Sequence, residues 1–317
     1  MRVLVTGATG FVGRALVNAL LEEGIQVVGV GRRQGDFPNF TYHAVPDFAA
    51  FNGWQPILQE CDVLVHLAAR VHVMDEQSKN PLAAFRQVNV DGTLRLASEA
   101  TKAGVKRFIY MSSVKVNGEL TQSGQPFTEE DTAHPEDAYG LSKLEAEQGL
   151  FLIARQTGIA VVIIRPPLVY GDGVKANFAG MMRVVKRGIP LPLGAIHNQR
   201  SFLYVRNLVS FIRVCMDHPK AANQVFLVSD GRDLSTTELL TRCAQALGVK
   251  SRLLPVPQGW LTFCAALLGK GAVAQRLCGN LQLDITKARS RLGWTPPFAV
   301  EDGLHETALG LLKGEQK

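Results

Sequence analysis

The glycine-rich segment TGATGFVG at residues 6–13 constrains the fold of this chain more than any other feature. It joins a predicted strand, RVLV, to a predicted helix that begins near Gly13. Gly7 permits a tight turn, Gly10 lets the backbone approach a pyrophosphate, and Gly13 lets the helix pack closely on the strand. The free N–H groups at the start of the helix would bind the anion. The segment therefore predicts a dinucleotide-binding βαβ unit.

The first half of the chain continues this alternation of strand and helix. Its apolar runs, such as residues 108–111, are continuous, which is typical of strands covered on both faces of a parallel sheet. We therefore predict an α/β fold, a Rossmann-type doubly wound parallel sheet with a smaller C-terminal substrate-binding lobe. The predicted NAD(P)-binding domain comprises residues 1–170 and about 201–232, and the substrate lobe comprises about 171–200 and 233–317.

Charge and cysteine content limit the classes of partner. The formal net charge is +6, yet lysines and arginines are scattered and no basic run exceeds two residues. We therefore expect no nucleic-acid partner, although a mildly basic protein suits an anionic substrate. The five cysteines are widely spaced and include no CxxC pair. This spacing argues against a disulfide framework or a metal site and favours a cytoplasmic location.

The most apolar stretch of the chain covers residues 260–268. It is well short of the ~20 residues that a membrane-spanning helix needs, so no transmembrane segment is expected. The apolar run at the N terminus is too short for a signal peptide. We expect residues 260–268 to pack into the smaller lobe, with contact between residues 259–281 and a membrane surface as the alternative.

The end of the second predicted strand bears on the choice of cofactor. Sites for NAD usually place an acidic residue there to bind the ribose 2′-hydroxyl. This chain has Gly31-Arg32-Arg33 instead. Because two guanidinium groups can pair with a 2′-phosphate, we favour NADP(H), with NAD(H) as the alternative.

Three residue types that suit proton transfer follow in order along the chain. Tyr139 and Lys143 are four residues apart and share one face of a predicted helix. A nearby ammonium favours the phenolate form of tyrosine, which otherwise has a pKa of about 10. Ser112 and Ser113 end the strand at 108–111, at the carboxyl edge of the sheet where ligands bind. One of these serines would donate a hydrogen bond to the reacting oxygen.

With these features the chain resembles an extended short-chain dehydrogenase/reductase of the nucleotide-sugar epimerase/dehydratase family. The resemblance covers nearly the whole chain. It rests on TGATGFVG at 6–13, PDF at 46–48, HLAA at 66–69, Asn89, SSVKVNG at 112–118, YGLSK at 139–143, RPPLVYG at 165–171 and RSFLYVRNL at 200–208.

The resemblance implies a set of site residues. It makes Tyr139 the acid/base, Lys143 its partner and Ser113 the catalytic hydroxyl. It also implies that Ser112, Asn177 and Arg200 contact the sugar nucleotide, and no metal ligands are expected. The cofactor-binding residues that we expect are Gly7, Thr9, Gly10, Phe11, Val12, Gly13, Arg32, Arg33, Asp47, Phe48, Leu67, Ala68, Ala69, Asn89, Tyr139, Lys143 and Pro166.

Two features of this chain depart from the family pattern. Asn117 stands where the family usually has an aromatic residue in the active-site wall, and the second strand lacks the acidic residue of NAD-holding epimerases. The chain most resembles epimerase-like members of the family from O-antigen and capsule pathways. This resemblance implies the leading hypothesis, NADPH-dependent 4-keto reduction of a UDP-linked 4-keto-6-deoxy-N-acetylhexosamine for O-antigen or lipopolysaccharide synthesis. The alternative is a 4-epimerase of UDP-hexoses or UDP-N-acetylhexosamines with retained NAD. A non-catalytic nucleotide-binding protein is the minor alternative. By analogy we also expect a homodimer through residues 92–103 and 143–156.

Overall fold

A seven-stranded parallel sheet forms the centre of the protein, in the order β3-β2-β1-β4-β5-β6-β9. The computed structural model describes residues 1–71 except Gln34 and Asp36, and residues 80–314. Two further strands, β7 and β8, pair in parallel as a separate small sheet. The strands are β1 (Arg2–Thr6), β2 (Gln26–Gly31), β3 (Thr41–Ala44), β4 (Val63–His66), β5 (Arg107–Met111), β6 (Ala160–Arg165), β7 (Leu168–Tyr170), β8 (Phe202–Tyr204) and β9 (Gln224–Leu227).

Helices flank both faces of the large sheet and build most of the smaller lobe. A π-helical turn at Gln87–Asp91 joins two of them. In the described part of the chain, the α-helices are α1 (Phe11–Glu22), α2 (Trp54–Leu58), α3 (Pro81–Arg86), α4 (Gly92–Lys102), α5 (Ala138–Thr157), α6 (Ala176–Lys186), α7 (Val205–Asp217), α8 (Thr236–Ala246), α9 (Gln258–Leu267), α10 (Gly271–Cys278), α11 (Thr286–Leu292) and α12 (Val300–Gly314).

The apolar strands are buried because successive side chains enter cores on opposite faces of the sheet. Val3 and Val5 of β1 belong to the core that includes α1 and α7. Leu4 belongs to the other core, which includes α2, α4 and α5. The predicted doubly wound parallel sheet is therefore confirmed.

A third apolar core lies in the smaller lobe. It combines side chains of β7, β8, α6, α8 and α12, with Tyr170 and Tyr204 among the largest buried groups. Besides segments before and after residues 201–232, Phe202 and Tyr204 from within that range contribute to it. The domain boundaries themselves remain a prediction.

The expected packing of residues 260–268 into the smaller lobe is wrong. Helix α9 has no buried residue, and Trp260 is 66% exposed. The physical reason is that α9 packs mainly against α10, and no described residue covers its outer side. Among the described residues, no helix is both long and apolar enough to cross a bilayer.

Candidate active site

The glycine-rich loop ends in an open helix N terminus. Gly7 has a φ of +68°, and its carbonyl accepts a hydrogen bond from the Gly10 N–H at 2.8 Å. Helix α1 begins at Phe11 without a side-chain cap, so N–H groups of its first turn are available to an anion. Thr9 lies in the loop, and the half-buried Phe11 and Val12 pack toward the core of the smaller lobe. These residues fit the pyrophosphate of a dinucleotide.

Closely packed backbone leaves no room for a side chain at the third glycine of the loop. A Cβ on Gly13 would lie 2.1 Å from the Gly7 carbonyl oxygen. We expect Gly13→Ala to displace the loop and weaken dinucleotide binding at least about tenfold, since the pyrophosphate depends on this turn. Calorimetric titration of cofactor-stripped protein checks the result. Gly180→Ala in α6 is the matched control, because its Cβ meets nothing within 4 Å. Equal affinities of the two variants would contradict the assignment of the loop.

A buried polar chain supports this loop from the neighbouring strand. The Leu67 and Ala68 N–H groups donate to Thr6 Oγ1 at 3.1 and 3.2 Å, and Thr6 Oγ1 lies 2.7 Å from His66 Nδ1. His66 Nε2 is 3.0 Å from Thr93 Oγ1. Burial, and secondarily the charge of Lys143, lowers the pKa of His66 to about 3, so its imidazole is neutral. The HLAA segment is recognisable in the sequence, but nothing local to it indicates that His66 helps to hold the loop at Leu67–Ala69 beside the glycines.

The two arginines after β2 lie at the surface. Arg32 and Arg33 are exposed, and within the described residues no carboxylate pairs with either guanidinium group. The Arg33 carbonyl accepts a hydrogen bond from the Tyr42 hydroxyl at 2.9 Å. The surface at Arg32 and Arg33 is open to the adenine ribose of a dinucleotide, and its geometry suits a 2′-phosphate and a 2′-hydroxyl alike.

Asp47 and Phe48, two of the expected cofactor-binding residues, are split between surface and core. Asp47 is exposed, and its Oδ1 accepts the N–H groups of Ala49 and Ala50 in a tight turn. Phe48 is buried, with its ring centroid 5.3 Å from that of Trp54. The aromatic ring of Phe48 thus supports the wall of the site from inside, and Asp47 shapes the turn at its surface.

Ser113, Tyr139 and Lys143 meet at the carboxyl edge of the sheet, the same edge at which the glycine loop follows β1. Ser113 follows β5, and Tyr139 and Lys143 lie in the first two turns of α5. Asp137 caps this helix, its Oδ1 accepting the Gly140 N–H at 2.7 Å. Burial and then the Asp137 charge raise the pKa of Tyr139 to about 12, whereas a hydrogen bond with Ser113 lowers it. A further positive charge is therefore needed before the phenol can act as a base near neutral pH.

Lys143 is buried and held by the strand that leads to Ser113. Its Nζ donates to the Met111 carbonyl at 2.8 Å and lies 4.5 Å from the ring centroid of Tyr110 and 5.8 Å from that of Tyr139. Burial lowers the pKa of Lys143 to about 7, and the charge of Glu147 opposes this shift. Near neutral pH a small change in surroundings therefore changes the charge on Lys143.

Beneath the site lies an ion pair that sequence analysis missed. Arg165 donates to Glu147 from Nε at 2.9 Å and from Nη2 at 2.5 Å, and both side chains are almost fully buried. The buried Ser112 hydroxyl donates to Glu147, and its expected contact with the sugar nucleotide stays a prediction. Asn117 Oδ1 accepts from Arg165 Nη1 at 3.0 Å, which makes Asn117 a partner of this pair rather than an exposed wall. The one sequence feature that could have drawn attention to Glu147 is its position one helical turn after Lys143.

Asn89 lies in the π-helical turn and links two sides of the site. Its Nδ2 donates to the Arg70 carbonyl and to Ser142 Oγ, both at 3.0 Å, and its Oδ1 accepts the Arg70 N–H. The wider turn puts this amide inward, a common use of π-bulges at functional sites. Asn89 thereby holds the segment after Ala69 against helix α5.

The predicted contacts of the substrate lobe lie at separate places. Asn177 is exposed near the start of α6, whereas Arg200 is mostly buried, and burial lowers its pKa. Arg200 Nη1 donates to the Gly279 carbonyl at 2.9 Å. Pro166 directly follows β6, and its carbonyl accepts the N–H of Val114, the residue after Ser113, at 3.0 Å. The described residues contain no cluster of three or more histidine, cysteine or acidic side chains arranged to bind a metal.

Comparison with known proteins gives the family of this chain. Residues 3–229 match the model of the NAD dependent epimerase/dehydratase family. The chain belongs to this family. It is 47% identical to a UDP-glucose 4-epimerase of Vibrio cholerae, over 99% of this chain and 97% of that protein. It is 29% identical to an N-acetyl-α-D-glucosaminyl-diphospho-ditrans,octacis-undecaprenol 4-epimerase of Escherichia coli O157:H7, over 96% and 93%. The crystal structure of Thermotoga maritima UDP-glucose 4-epimerase superimposes with a TM-score of 0.80 at 26% identity, over 99% and 100%.

Family membership confirms the resemblance seen in the sequence, and it makes the protein an enzyme of the extended short-chain dehydrogenase/reductase type. The family is NAD-dependent by description. A neighbouring structure with 25% identity, MoeE5, was solved with UDP-glucuronic acid and NAD. The expected preference for NADP(H), which depended on Arg32 and Arg33, finds no support in these relatives.

Proposed function

We propose that this protein is a UDP-sugar 4-epimerase that retains NAD(H) through turnover. The proposal depends chiefly on the 47% identity with the Vibrio cholerae UDP-glucose 4-epimerase along nearly all of both chains. The grouping of Ser113, Tyr139 and Lys143 beside the glycine loop supports it. The relatives therefore favour the alternative hypothesis of the sequence analysis over 4-keto reduction. The homodimer, the cytoplasmic location and the use in O-antigen synthesis remain predictions.

The residues of the site suit removal and return of a proton at the sugar O4. Bound NAD⁺ would accept the C4 hydride and return it to the other face of the sugar. Tyr139 Oη takes the O4 proton in the first half-reaction and gives it back in the second. Ser113 Oγ donates a hydrogen bond to the same oxygen. Lys143 favours the phenolate through its positive charge, and Met111 fixes the position of that charge.

Incubation with UDP-glucose, without added cofactor, tests the function. We expect UDP-galactose to form until equilibrium is reached, and denatured protein to release NAD in amounts close to one per chain. UDP-N-acetylglucosamine and UDP-glucuronic acid, tested in parallel, distinguish the sugar class. Protein that emerges empty, prefers NADPH and reduces a 4-keto sugar stoichiometrically would contradict the proposal and restore the reductase.

A further inference from the structure

The outer face of helix α9 is the most apolar exposed surface that the structure describes. Trp260, Phe263 and Leu267 are 66%, 57% and 73% exposed. Counted from Trp260, Phe263 is three residues on, Cys264 four and Leu267 seven. This helical spacing puts all four on one side of the helix. Leu268 follows at 73% exposure. Contiguous exposed apolar groups of this size mark a surface that binds another apolar surface.

The segments that flank this face along the chain carry positive charge only. Residues 243–283 contain Lys250, Arg252, Lys270 and Arg276 but no aspartate or glutamate. None of these four cations forms an ion pair with a carboxylate in the described part of the chain. An apolar face with a cationic border complements an anionic lipid surface. A second copy of the chain would bring two cationic borders together, which opposes self-association through this face.

The length and attachment of the helices determine how such a surface would bind. Helix α9 has ten residues, about 15 Å at the usual rise, and the hydrocarbon core of a bilayer is ~30 Å thick. It can therefore lie in the interface but cannot cross it. The end of α10 is held firmly, since Asn198 Nδ2 donates to the Leu277 and Gly279 carbonyls at 3.2 and 2.8 Å. The Gly279 carbonyl is also the one that Arg200 binds.

From these observations we propose that the α9–α10 hairpin docks this protein on an anionic membrane surface. Trp260, Phe263 and Leu267 enter the interface, and the surrounding lysines and arginines contact lipid phosphates. Docking holds the side of the substrate lobe that contains Arg200 next to the lipid headgroups. This inference is independent of the sugar that the enzyme uses.

Sedimentation with lipid vesicles tests the proposal on the full chain. The probe is phosphatidylcholine vesicles with roughly one-third phosphatidylglycerol, compared with vesicles of phosphatidylcholine alone. We expect the protein to sediment with the anionic vesicles, and less so as salt rises. Trp260→Glu and Phe263→Glu should each weaken binding at least about tenfold, with unchanged epimerase turnover on soluble UDP-sugar. Leu309→Glu, on a leucine of α12 that is 43% exposed, is the matched control and should bind like wild type.

A second measurement uses the natural chain. Cys264 is exposed and the other four cysteines are buried, so a polarity-sensitive maleimide dye labels the apolar face selectively. We expect its emission to shift to the blue with anionic vesicles. The proposal would be overturned if the protein neither sedimented with anionic vesicles nor showed the emission shift. It would also be overturned if the protein bound neutral vesicles equally well, or if Leu309→Glu weakened vesicle binding as much as Trp260→Glu and Phe263→Glu do. A dimer in solution that Phe263→Glu dissociates, without vesicle binding, would assign the face to a second copy instead.

Discussion

Replacing Tyr139 with phenylalanine is expected to lower kcat for sugar interconversion by roughly 10²–10⁴-fold, the usual contribution of a general acid/base. The pKa of Tyr139 is raised to about 12 in the protein without cofactor. The hydroxyl becomes a base only with positive charge nearby, from Lys143 and from the oxidised nicotinamide. Phenylalanine keeps the ring and its contact with Phe85, so NAD content should not change. Steady-state turnover and the NAD released on denaturation measure the two effects separately.

Tyr110→Phe is the control for this experiment. The Tyr110 ring is closer to Lys143 Nζ than the Tyr139 ring is, at 4.5 Å against 5.8 Å, but Tyr110 is fully buried. Its hydroxyl cannot reach a substrate, so we expect turnover close to that of wild type. Turnover of Tyr139→Phe within a few-fold of wild type would remove Tyr139 from the mechanism. If Tyr110→Phe lost as much turnover as Tyr139→Phe, turnover would be sensitive to any change around Lys143. The loss in Tyr139→Phe would then not identify Tyr139 as the acid/base.

Glu147→Gln is expected to destabilise the fold by about 3–5 kcal/mol, because it leaves the buried Arg165 guanidinium without its counter-charge. Chemical denaturation measures this loss. The control is Glu145→Gln in the same helix, which breaks an ion pair with Arg86 at the surface. We expect that variant to unfold almost like wild type, since exposed ion pairs contribute little. Equal stabilities of the two variants would show that the buried pair does not stabilise the fold.

Glu147 also acts on catalysis through Lys143, as a positioning residue. Its negative charge raises the pKa of Lys143, which burial lowers to about 7. Removing the charge should lower that pKa further, so the decline in rate as Lys143 loses its proton should begin at lower pH. A pH–rate profile of Glu147→Gln against Glu145→Gln, at a temperature where both are folded, measures the shift. Identical profiles would limit Glu147 to a structural role.

The features of this protein that depend on local geometry can be predicted from its sequence. The glycine spacing in residues 6–13 predicts a strand, turn and helix because each step depends on backbone conformation and close approach within a few residues. The spacing of Tyr139 and Lys143 likewise puts both on one helix face. The continuous apolar strands predicted a parallel sheet covered on both faces, and the structure has one.

Which side chains face the site and which face the core depends on the folded arrangement of distant segments. Ser112 and Ser113 look equivalent in sequence, but adjacent residues of an extended chain point to opposite sides, and Ser112 turns inward to Glu147. The Glu147–Arg165 pair joins a helix to a strand, and no local pattern specifies such a contact. The exposure of α9 arises because no described segment of the chain packs over its outer face, which is set by packing of the whole lobe. Contacts between distant segments follow from the folded arrangement, so local sequence rules could not predict them.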